Sequence, residues 1–418
     1  MVIREVSGEL DRLAAALGGL ACREVPIGSL TTYRVGGAAR LYCEISAEDD
    51  LDRVLKALHG SAVRVLVIGK GSNLLVADRG WDGICLKLSG QFESIAIAGP
   101  SGLDGPSGLD GPGVEAGGAV PLPVLARRTG AAGLTGLEWA VGVPGSLGGA
   151  VRMNAGGHGA ETGDRLVSCR VVDVIGGADR WSSPSQLGLS YRHSAIARSE
   201  LVLAARFALE EGDPSCSAGR IAEIVRWRRE NQPGGQNAGS VFKNPTGDSA
   251  GRIIEAAGLK GLRLGTAAVS AKHANFIQAD SGGSADDVRG LIETVRLAVS
   301  QRLGIDLEAE VQMVRIVQEA LANVRKHSRA NKVWIRLARR DGEGILTVED
   351  DGIGFDLSQA EGKKRRCFGL ETMRERAESV GARLEVVSIP GEGTRIQVRF
   401  RFEQRATEPR AISQNTAG

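Results

Sequence analysis

Short apolar runs alternate with helical repeats in the first part of the chain. Residues 63–68 (VRVLVI) and 84–88 (ICLKL) are apolar runs of strand length. Residues 47–59 place leucine and valine at helical spacing. This interleaving predicts a domain of mixed strands and helices.

Further along, the same patterns predict helices over 218–230 and 285–303. The second helix is amphipathic and precedes Gly304, a residue type typical of helix C-termini. Residues 305–314 (IDLEAEVQMV) then alternate, which predicts a last strand. In that strand Leu307 and Ala309 would face inward, and Glu308 and Glu310 would face the other way.

A direct repeat interrupts the first part of the chain. Residues 99–112 read GPSGLDGPSGLDGP and lie between the strand-like runs ESIAIA and GVEAGGAV. Two polar copies are too few for a repeat architecture. The pattern predicts a flexible insertion at the tip of a hairpin.

The character of the chain changes after residue 314. Residues 315–418 carry 20 Lys and Arg against 15 Asp and Glu. Helical and strand patterns alternate there, which predicts a small α/β sandwich over 315–403. The polar residues 404–418 are expected to be a disordered tail.

Composition excludes several classes of protein. The chain has 418 residues, 42% of them hydrophobic and 24% charged, as in ordinary globular proteins. Lys and Arg number 52 against 50 Asp and Glu, which argues against a nucleic-acid or membrane-surface binder. The sequence offers no signal peptide and no apolar run of spanning length. The scattered cysteines lack a CxxC pair, so we expect a cytoplasmic protein with reduced thiols.

Glycine-rich loops are the candidate cofactor site. GKGSN at 69–73 follows a predicted strand, and GLEWAVGVPGSLGGAVRMNAGGHG covers 136–159. Glycine lets the backbone approach a ligand, and successive N–H groups bind anions. So much flexible backbone is typical of a loop that wraps a large cofactor.

The ordered motifs TTYRVGG (31–37), GKGSN, GxPGSxGGAVxMNAG, YRHS (191–194), AGSxFKNP (238–245), AAGLKG (256–261) and LEAEV (307–311) carry a resemblance. Residues 1 to about 314 resemble the UDP-N-acetylenolpyruvoylglucosamine reductase family, in the compact subtype. The resemblance implies an α+β protein with a vanillyl-alcohol-oxidase-type FAD-binding domain of two subdomains over 1–211. An α/β substrate domain would follow over 212–314.

The resemblance also implies site residues. FAD would be bound by Gly69, Gly71, Ser72, Asn73, Pro144, Gly145, Gly148, Gly149, Asn154 and Gly156. The catalytic residues would be Arg192, Ser240 and Glu310, and substrate would be bound by Tyr191, Lys243 and Asn244. NADPH would donate hydride, and UDP-N-acetylglucosamine enolpyruvate would be the small-molecule partner. We expect a monomer with no metal in the reductase, no nucleic-acid partner and no membrane partner.

The chemistry suits these residue types. Hydride addition to the enolpyruvyl β-carbon develops negative charge as an enolate, which a cation such as Arg192 can stabilise. Glu310 would share in that task, and Ser240 would donate a proton to the α-carbon. Taken singly, each residue has an ordinary structural interpretation, and Trp139 and Trp227 are expected to lie in the core.

The C-terminal part has its own motifs. In RIVQEALANVRKHS, Glu319 and Asn323 lie one helical turn apart and suit Mg²⁺, and DDGIG at 350–354 suits an adenine pocket. These motifs resemble the ATP-binding domain of sensor histidine kinases. ATP and Mg²⁺ would then contact Glu319, Asn323, Asp350, Gly352, Gly354, Gly369 and Thr394.

Two features separate this part from a working kinase. The dimerisation helix with a phosphoacceptor histidine is absent from the sequence, as are the first helix and strand of the ATP-binding domain. An FAD-dependent reductase fused to a truncated ATP-binding domain is therefore the leading hypothesis. The alternatives are an ATP-binding signalling module and an inactive fusion product. Residues 307–314 fit both a strand of the reductase and a helix of the ATP-binding part.

Overall fold

A computed structural model gives the fold and describes residues 2–99, 102, 110–310, 332–340, 343–353, 383–389 and 393–401. The chain divides into two compact units. One is Glu5–Gln312; the other is Met313–Gly418 together with Met1–Arg4. The division falls close to the point where the sequence changes character.

The first sheet of the larger unit mixes parallel and antiparallel strands. Its order is β1-β2-β4-β3, with β4 parallel to both β2 and β3 and with β1 antiparallel to β2. Leu51, Val54 and Leu58 form the buried face of the second helix, as their spacing predicts. The elements are β1 (Ala21–Val25), β2 (Ala39–Ile45), β3 (Val65–Val67), β4 (Trp81–Leu88), α1 (Val2–Leu17) and α2 (Glu48–Leu58).

The second sheet is antiparallel, in the order β11-β10-β12-β6-β5. Its strands are β5 (Ile95–Ala98), β6 (Gly113–Gly117), β10 (Leu166–Asp173), β11 (Asp179–Ser182) and β12 (Glu200–Ala208). Two-residue ribbons flank it: β7 (Leu134–Thr135) with β13 (Glu210–Glu211), and β8 (Gly156–Gly157) with β9 (Ala160–Glu161). The neighbouring helices are α3 (Leu122–Ala131), α4 (Leu147–Met153) and α5 (Pro214–Asn231).

The glycine-rich repeat joins two paired strands. β5 and β6 pair antiparallel, with Ile95 opposite Ala116 and Ala98 opposite Gly113. The position predicted for the insertion, at a hairpin connection, is confirmed. Its expected flexibility falls largely outside the described residues, which include only Gly102 between Gly99 and Asp110.

The third sheet is packed against a long helix. Its strands are β14 (Arg263–Leu264), β15 (Ala267–Val269) and β16 (Ile277–Ala279), and α6 (Ala250–Ala256) and α7 (Ala285–Leu303) accompany it. The predicted apolar face of α7 is buried: Val288, Leu291, Ile292, Val295 and Val299. Ser284 caps the helix N-terminus, and Gly304 ends the helix in a left-handed conformation with φ of 67°.

Two more segments extend this third sheet. The Ala279 N–H donates to the Gln236 carbonyl, and the Val241 N–H donates to the Asn275 carbonyl. On the far side, Lys243 N–H donates to Glu308 and Glu310 N–H donates to Val241. Leu307 and Ala309 are buried and Glu308 is exposed, as predicted. The pairing is a short bridge centred on Phe242 and Ala309 and is less than the full strand expected; residues 311–314 lie outside the described residues.

A carboxylate joins the first and third sheets of the larger unit. Asp78 accepts hydrogen bonds from the Ser284 hydroxyl and from the N–H groups of Ala285 and Asp286, at 2.6 to 3.0 Å. Burial raises the pKa of Asp78, but these hydrogen bonds outweigh it and hold the pKa below its ordinary value. The link therefore persists at neutral pH.

The smaller unit contains an antiparallel sheet in the order β17-β18-β20-β19. Val348, Ile396 and Val398 are its buried apolar residues. The helical patterns of the predicted α/β sandwich lie outside the described residues. Among the residues that the structure describes, no helix is long and apolar enough to cross a membrane. The strands are β17 (Val333–Arg340), β18 (Glu343–Asp350), β19 (Arg383–Ile389) and β20 (Gly393–Arg401).

Candidate functional site

Two glycine-rich loops of the larger unit pack against each other. A Cβ at Gly69 would overlap the Ser146 hydroxyl, so glycine lets the two loops approach without moving that side chain. Gly71 has φ of 62°, and a Cβ there would lie 2.6 Å from the Thr31 Cα. Thr32 N–H donates to the Gly71 carbonyl. The loop at 69–73 is therefore fixed between the TTYRVGG turn and the start of α4.

A cleft opens beside these loops. It has about 610 Å³ of space, which includes the part open to solvent. Three cationic side chains border it: Lys70, Lys87 and Arg152. The remaining walls are the end of β3, the start of α4 and the start of β12, formed by Val67, Ile68, Gly69, Leu88, Gly118, Ala119, Ser146, Gly148, Gly149, Ile196, Glu200, Leu201 and Val202.

The cleft suits a cofactor that carries a diphosphate. Bare glycine backbone, one hydroxyl and three cations are groups that bind phosphate oxygens. Of the predicted cofactor residues, Gly69, Gly148 and Gly149 border the cleft. Ser72 and Gly145 bring the two loops together, since a Cβ on Gly145 would be 3.3 Å from the Ser72 Oγ. Gly71, Asn73 and Pro144 belong to the same two loops.

The last two predicted cofactor residues, Asn154 and Gly156, lie with the residues around Arg192. Asn154 is buried and has φ of 42°. Its side chain donates to Glu161 Oε1 at 2.8 Å and to the Ser190 carbonyl at 3.2 Å, and accepts from Gly163 N–H at 2.9 Å. The side chain of Asn154 is thus occupied by protein groups, and it fixes the loop from which Arg192 projects.

Arg192 lies at the tip of a tight turn. Ser190 and His193 exchange two backbone hydrogen bonds, at 3.1 and 2.9 Å, across that turn. Arg192 has φ of 55°, an uncommon conformation for a residue with a side chain. Its Nη2 donates to the Gly156 carbonyl at 2.9 Å, and its guanidinium carbon lies 5.2 Å from the centre of the Tyr191 ring. The turn therefore aims a partly buried cation.

The partner of this cation is Glu310. Arg192 Nε lies 3.3 Å from Glu310 Oε1, and both side chains are largely buried. Burial raises the pKa of Glu310, and the opposing effects of Arg192 and Lys243 do not cancel it. The pair can therefore supply a positive charge and a carboxyl group that retains its proton more readily than usual.

Ser240 lies in a bulge next to Glu310. Gln236 pairs with Ala279 of β16 and Val241 bonds to Asn275 just before β16, while 237–240 leave this edge. Ser240 is exposed as a result. The next residue, Val241, accepts the Glu310 N–H at 2.9 Å. The structure thus brings the predicted acid and the predicted carboxylate to adjacent segments.

The predicted substrate residues have different surroundings. Lys243 is largely buried and pairs with Glu308, Nζ to Oε1 at 2.7 Å. The Asn244 side chain accepts from the Ala250 N–H at 3.0 Å, so it holds the turn before α6. Tyr191 is half exposed beside Arg192.

Some residues near the site differ from what the sequence pattern predicts. The cations around the cleft were missed, although Arg152 stands inside the quoted motif GGAVRMNAG. Trp139 is buried as expected, but Trp227 is 44% exposed, so its expected core position is wrong. Trp227 instead meets His158 edge to face, with ring centres 5.1 Å apart. Helical spacing alone did not reveal that the Trp227 face of α5 is open.

The C-terminal candidates are only partly described. Asp350 is buried, and its Oδ1 accepts the Gly352 N–H at 2.9 Å. The Thr394 hydroxyl lies 2.9 Å from the Ser388 hydroxyl. The predicted contacts Glu319, Asn323, Gly354 and Gly369 lie outside the described residues.

Models of three protein families match the chain. "UDP-N-acetylenolpyruvoylglucosamine reductase, C-terminal domain" matches residues 231–314, and "FAD binding domain" matches residues 39–178. "Histidine kinase-, DNA gyrase B-, and HSP90-like ATPase" matches residues 308–404. Residues 308–314 are thus matched by two families, at the junction that the sequence also left ambiguous.

Individual relatives cover the larger unit. A UDP-N-acetylenolpyruvoylglucosamine reductase of Synechococcus is 41% identical over 69% of this chain and 92% of its own length. One of Paramagnetospirillum magneticum is 40% identical over 77% of this chain and 100% of its own length. The crystal structure of UDP-N-acetylenolpyruvylglucosamine reductase from Thermus caldophilus has a TM-score of 0.58 and 34% identity. It covers 69% of this chain and 97% of that one.

Proposed function

Because the chain belongs to the UDP-N-acetylenolpyruvoylglucosamine reductase family, we propose that it is an FAD-dependent oxidoreductase of peptidoglycan precursor synthesis. Its reaction is the reduction of UDP-N-acetylglucosamine enolpyruvate to UDP-N-acetylmuramate with NADPH. The observation that carries the proposal is the Arg192–Glu310 pair beside the Ser240 bulge. A cytoplasmic location and a monomeric state belong to the same proposal.

The cleft between the two glycine-rich loops is the proposed FAD site. Backbone of Gly69, Gly148 and Gly149 would contact the diphosphate, with Lys70 and Arg152 supplying positive charge. Asn73, Pro144 and the remaining loop residues shape the same wall. Bound FAD supplies hydride transfer from NADPH to the β-carbon of the enolpyruvyl group.

Arg192 and Glu310 act on the charge that this addition creates. The electron pair of the broken double bond moves to the α-carbon and is delocalised into the adjoining carboxylate as an enolate. The Arg192 guanidinium stabilises that charge, since it is fixed by Gly156 and does not need to reorient. Protonated Glu310 shares a hydrogen with the enolate oxygen, consistent with the raised pKa of this buried carboxyl.

Ser240 completes the reaction. Its hydroxyl gives a proton to the α-carbon, forms the second new C–H bond and regains a proton from solvent at its exposed position. A serine hydroxyl is a weak acid, so positive charges such as those of Arg192 and Lys243 would be needed to favour loss of the proton. Lys243 and Tyr191 would contact substrate, and Asn244 would act by holding the loop.

Product analysis tests the proposed activity. Purified full-length protein is incubated with NADPH and UDP-N-acetylglucosamine enolpyruvate, and the product is identified by mass spectrometry. We expect a gain of two hydrogen atoms per substrate and one NADPH oxidised per product. NADPH oxidation without a reduced product would contradict the proposal.

ATP binding by the smaller unit is the second candidate function. The match of residues 308–404 to the ATPase family and the buried Asp350 favour it. Calorimetric titration of the full chain with ATP, with and without Mg²⁺, tests it. The candidate requires Mg²⁺-dependent binding that is weaker in Asn323→Ala, and a chain that binds no ATP would eliminate it.

A further inference from the structure

One buried amide holds the segment that follows the proposed proton donor. Asn275 lies just before β16 and is 2% exposed. Its side-chain Oδ1 accepts the Phe242 N–H, and its Nδ2 donates to the Phe242 carbonyl, both at 2.9 Å. Its own carbonyl accepts the Val241 N–H at 2.9 Å. Asn275 thus makes three hydrogen bonds to the two residues that follow Ser240.

The side-chain amide of Asn275 makes the two hydrogen bonds to Phe242 that a neighbouring strand would otherwise make. β16 begins at Ile277, two residues after Asn275, and Phe242 is bonded by the Asn275 side chain and not by the backbone of β16. A primary amide offers one acceptor and one donor side by side, as a peptide group does. The N–H and the carbonyl of Phe242 require an acceptor and a donor respectively, which fixes the orientation of the amide.

The opposite edge of the same segment holds Glu310. Val241 receives the Glu310 N–H, and Lys243 N–H donates to the Glu308 carbonyl. Residues 241–243 are therefore bonded on one side to Asn275 and on the other to 308–310. A shift of this segment would move the Ser240 hydroxyl and would also move the backbone from which Glu310 projects.

We propose that Asn275 is a positioning residue that holds residues 241–243, and with them Ser240 and the Glu310 backbone, in place for the protonation step. This role rests on the proposed function, because it assigns to Asn275 the geometry of groups that act on the enolate. Asn275 itself need not touch substrate. A misplacement of about 1 Å in a catalytic group can cost about 10²-fold in rate, so the effect of losing the amide is measurable.

The first test separates the two half-reactions in Asn275→Ala. The reduction of bound flavin by NADPH should remain within about twofold of wild type. Reoxidation of the reduced enzyme by UDP-N-acetylglucosamine enolpyruvate should slow by about 10²-fold. Gln278→Ala is the matched control, because Gln278 lies on β16 and its side chain donates to the Gly234 carbonyl, ahead of the Ser240 bulge. Equal slowing of both half-reactions, or normal reoxidation, would overturn the proposal.

Asn275→Asp provides a rescue that a merely structural role would not show. A protonated carboxyl accepts from Phe242 N–H and donates to the Phe242 carbonyl, whereas an ionised carboxylate cannot donate. The variant's reoxidation rate divided by that of wild type should therefore rise as pH falls. His273, which accepts the Asn275 N–H, and the nearby Lys243 and Glu310 are common to both proteins, so the ratio removes their titration. A ratio independent of pH would overturn the proposal.

Hydrogen–deuterium exchange tests the geometry without turnover. In Asn275→Ala, peptides covering 241–243 and 308–310 should exchange faster, while peptides of α7 should not. Unchanged exchange in both segments would overturn the positioning role. If exchange rises as expected but wild-type enzyme is not reoxidised by the substrate, the proposed function fails, and with it the assignment of Asn275 to the protonation step.

Discussion

The Arg192 Nε and the Glu310 Oε1 lie 3.3 Å apart, and the same Arg192 donates to the Gly156 carbonyl. Three distant parts of the sequence therefore meet at one guanidinium: the second glycine-rich loop, the YRHS turn and the last segment of the larger unit. Burial limits the screening of the Arg192 guanidinium by water, so its positive charge acts strongly on a bound anion. The contacts of Arg192 explain why these motifs occur together.

Ser240→Ala tests the proton donor. We expect normal flavin content and normal reduction by NADPH, because Ser240 lies in a bulge outside the cleft. Reoxidation by the enolpyruvyl substrate should fall by about 10²–10⁴-fold, as for loss of a positioned acid. Stopped-flow absorbance of the flavin measures both steps. Ser281→Ala, an exposed serine in the turn before α7, serves as control, and equal turnover in both variants would remove Ser240 from the mechanism.

The pH dependence of reoxidation tests Glu310. Because burial raises the pKa of this carboxyl, Glu310 is protonated below that pKa and loses its proton as pH rises through it. If protonated Glu310 shares its hydrogen with the enolate, the reoxidation rate falls as pH rises through that range. Glu310→Gln should lower the reoxidation rate and abolish its fall at rising pH, the descending limb of the pH profile.

Glu308→Gln is the matched control for Glu310→Gln. Glu308 is exposed, lies two residues away on the same face and pairs with Lys243. We expect the descending limb to persist in Glu308→Gln. A wild-type profile that is retained in Glu310→Gln would show that another group titrates.

Truncation tests the boundary of the reductase. A chain cut after Val314 retains the pairing of 308–310 with 241–243 and should bind flavin and reduce substrate. A chain cut after Leu307 lacks Glu310 and that pairing. It should lose most of the reoxidation of its reduced flavin by substrate. Flavin content and turnover of the two truncations are compared with the full chain. Loss of flavin from the longer truncation would show that the C-terminal unit is required.

Phosphotransfer tests the kinase resemblance. The sequence contains no helix that resembles a phosphoacceptor dimerisation helix, and its histidines are His59, His158, His193, His273 and His327. We expect no acid-labile phosphate on the full chain after incubation with radiolabelled ATP and Mg²⁺. A label that is lost in acid and retained in base would contradict this.

Local patterns predicted much of the fold. Residues close together in sequence predict the apolar face of α7 and its end at Gly304, and the structure agrees. They also predict the position of the repeat between β5 and β6. The resemblance named Arg192 and Glu310, and the structure brings them into contact. Periodicity alone would not have paired them.

What the sequence could not predict depends on contacts between distant residues. Asn154 and Asn244 stand in the quoted motifs, but only the structure shows that their side chains bond to protein groups. Asn275 lies outside every quoted motif, and its role depends on the position of Phe242. The open face at Trp227 likewise depends on what packs around α5.

The visible spectrum of the purified full chain shows whether it is a flavin-dependent reductase of this substrate. We expect a yellow protein whose flavin absorbance bleaches when NADPH is added without oxygen. The absorbance should then return when UDP-N-acetylglucosamine enolpyruvate is added in an amount equal to the reduced flavin. A protein that stays colourless after addition of FAD, or whose bleached flavin is not reoxidised by that substrate, would contradict the proposed activity.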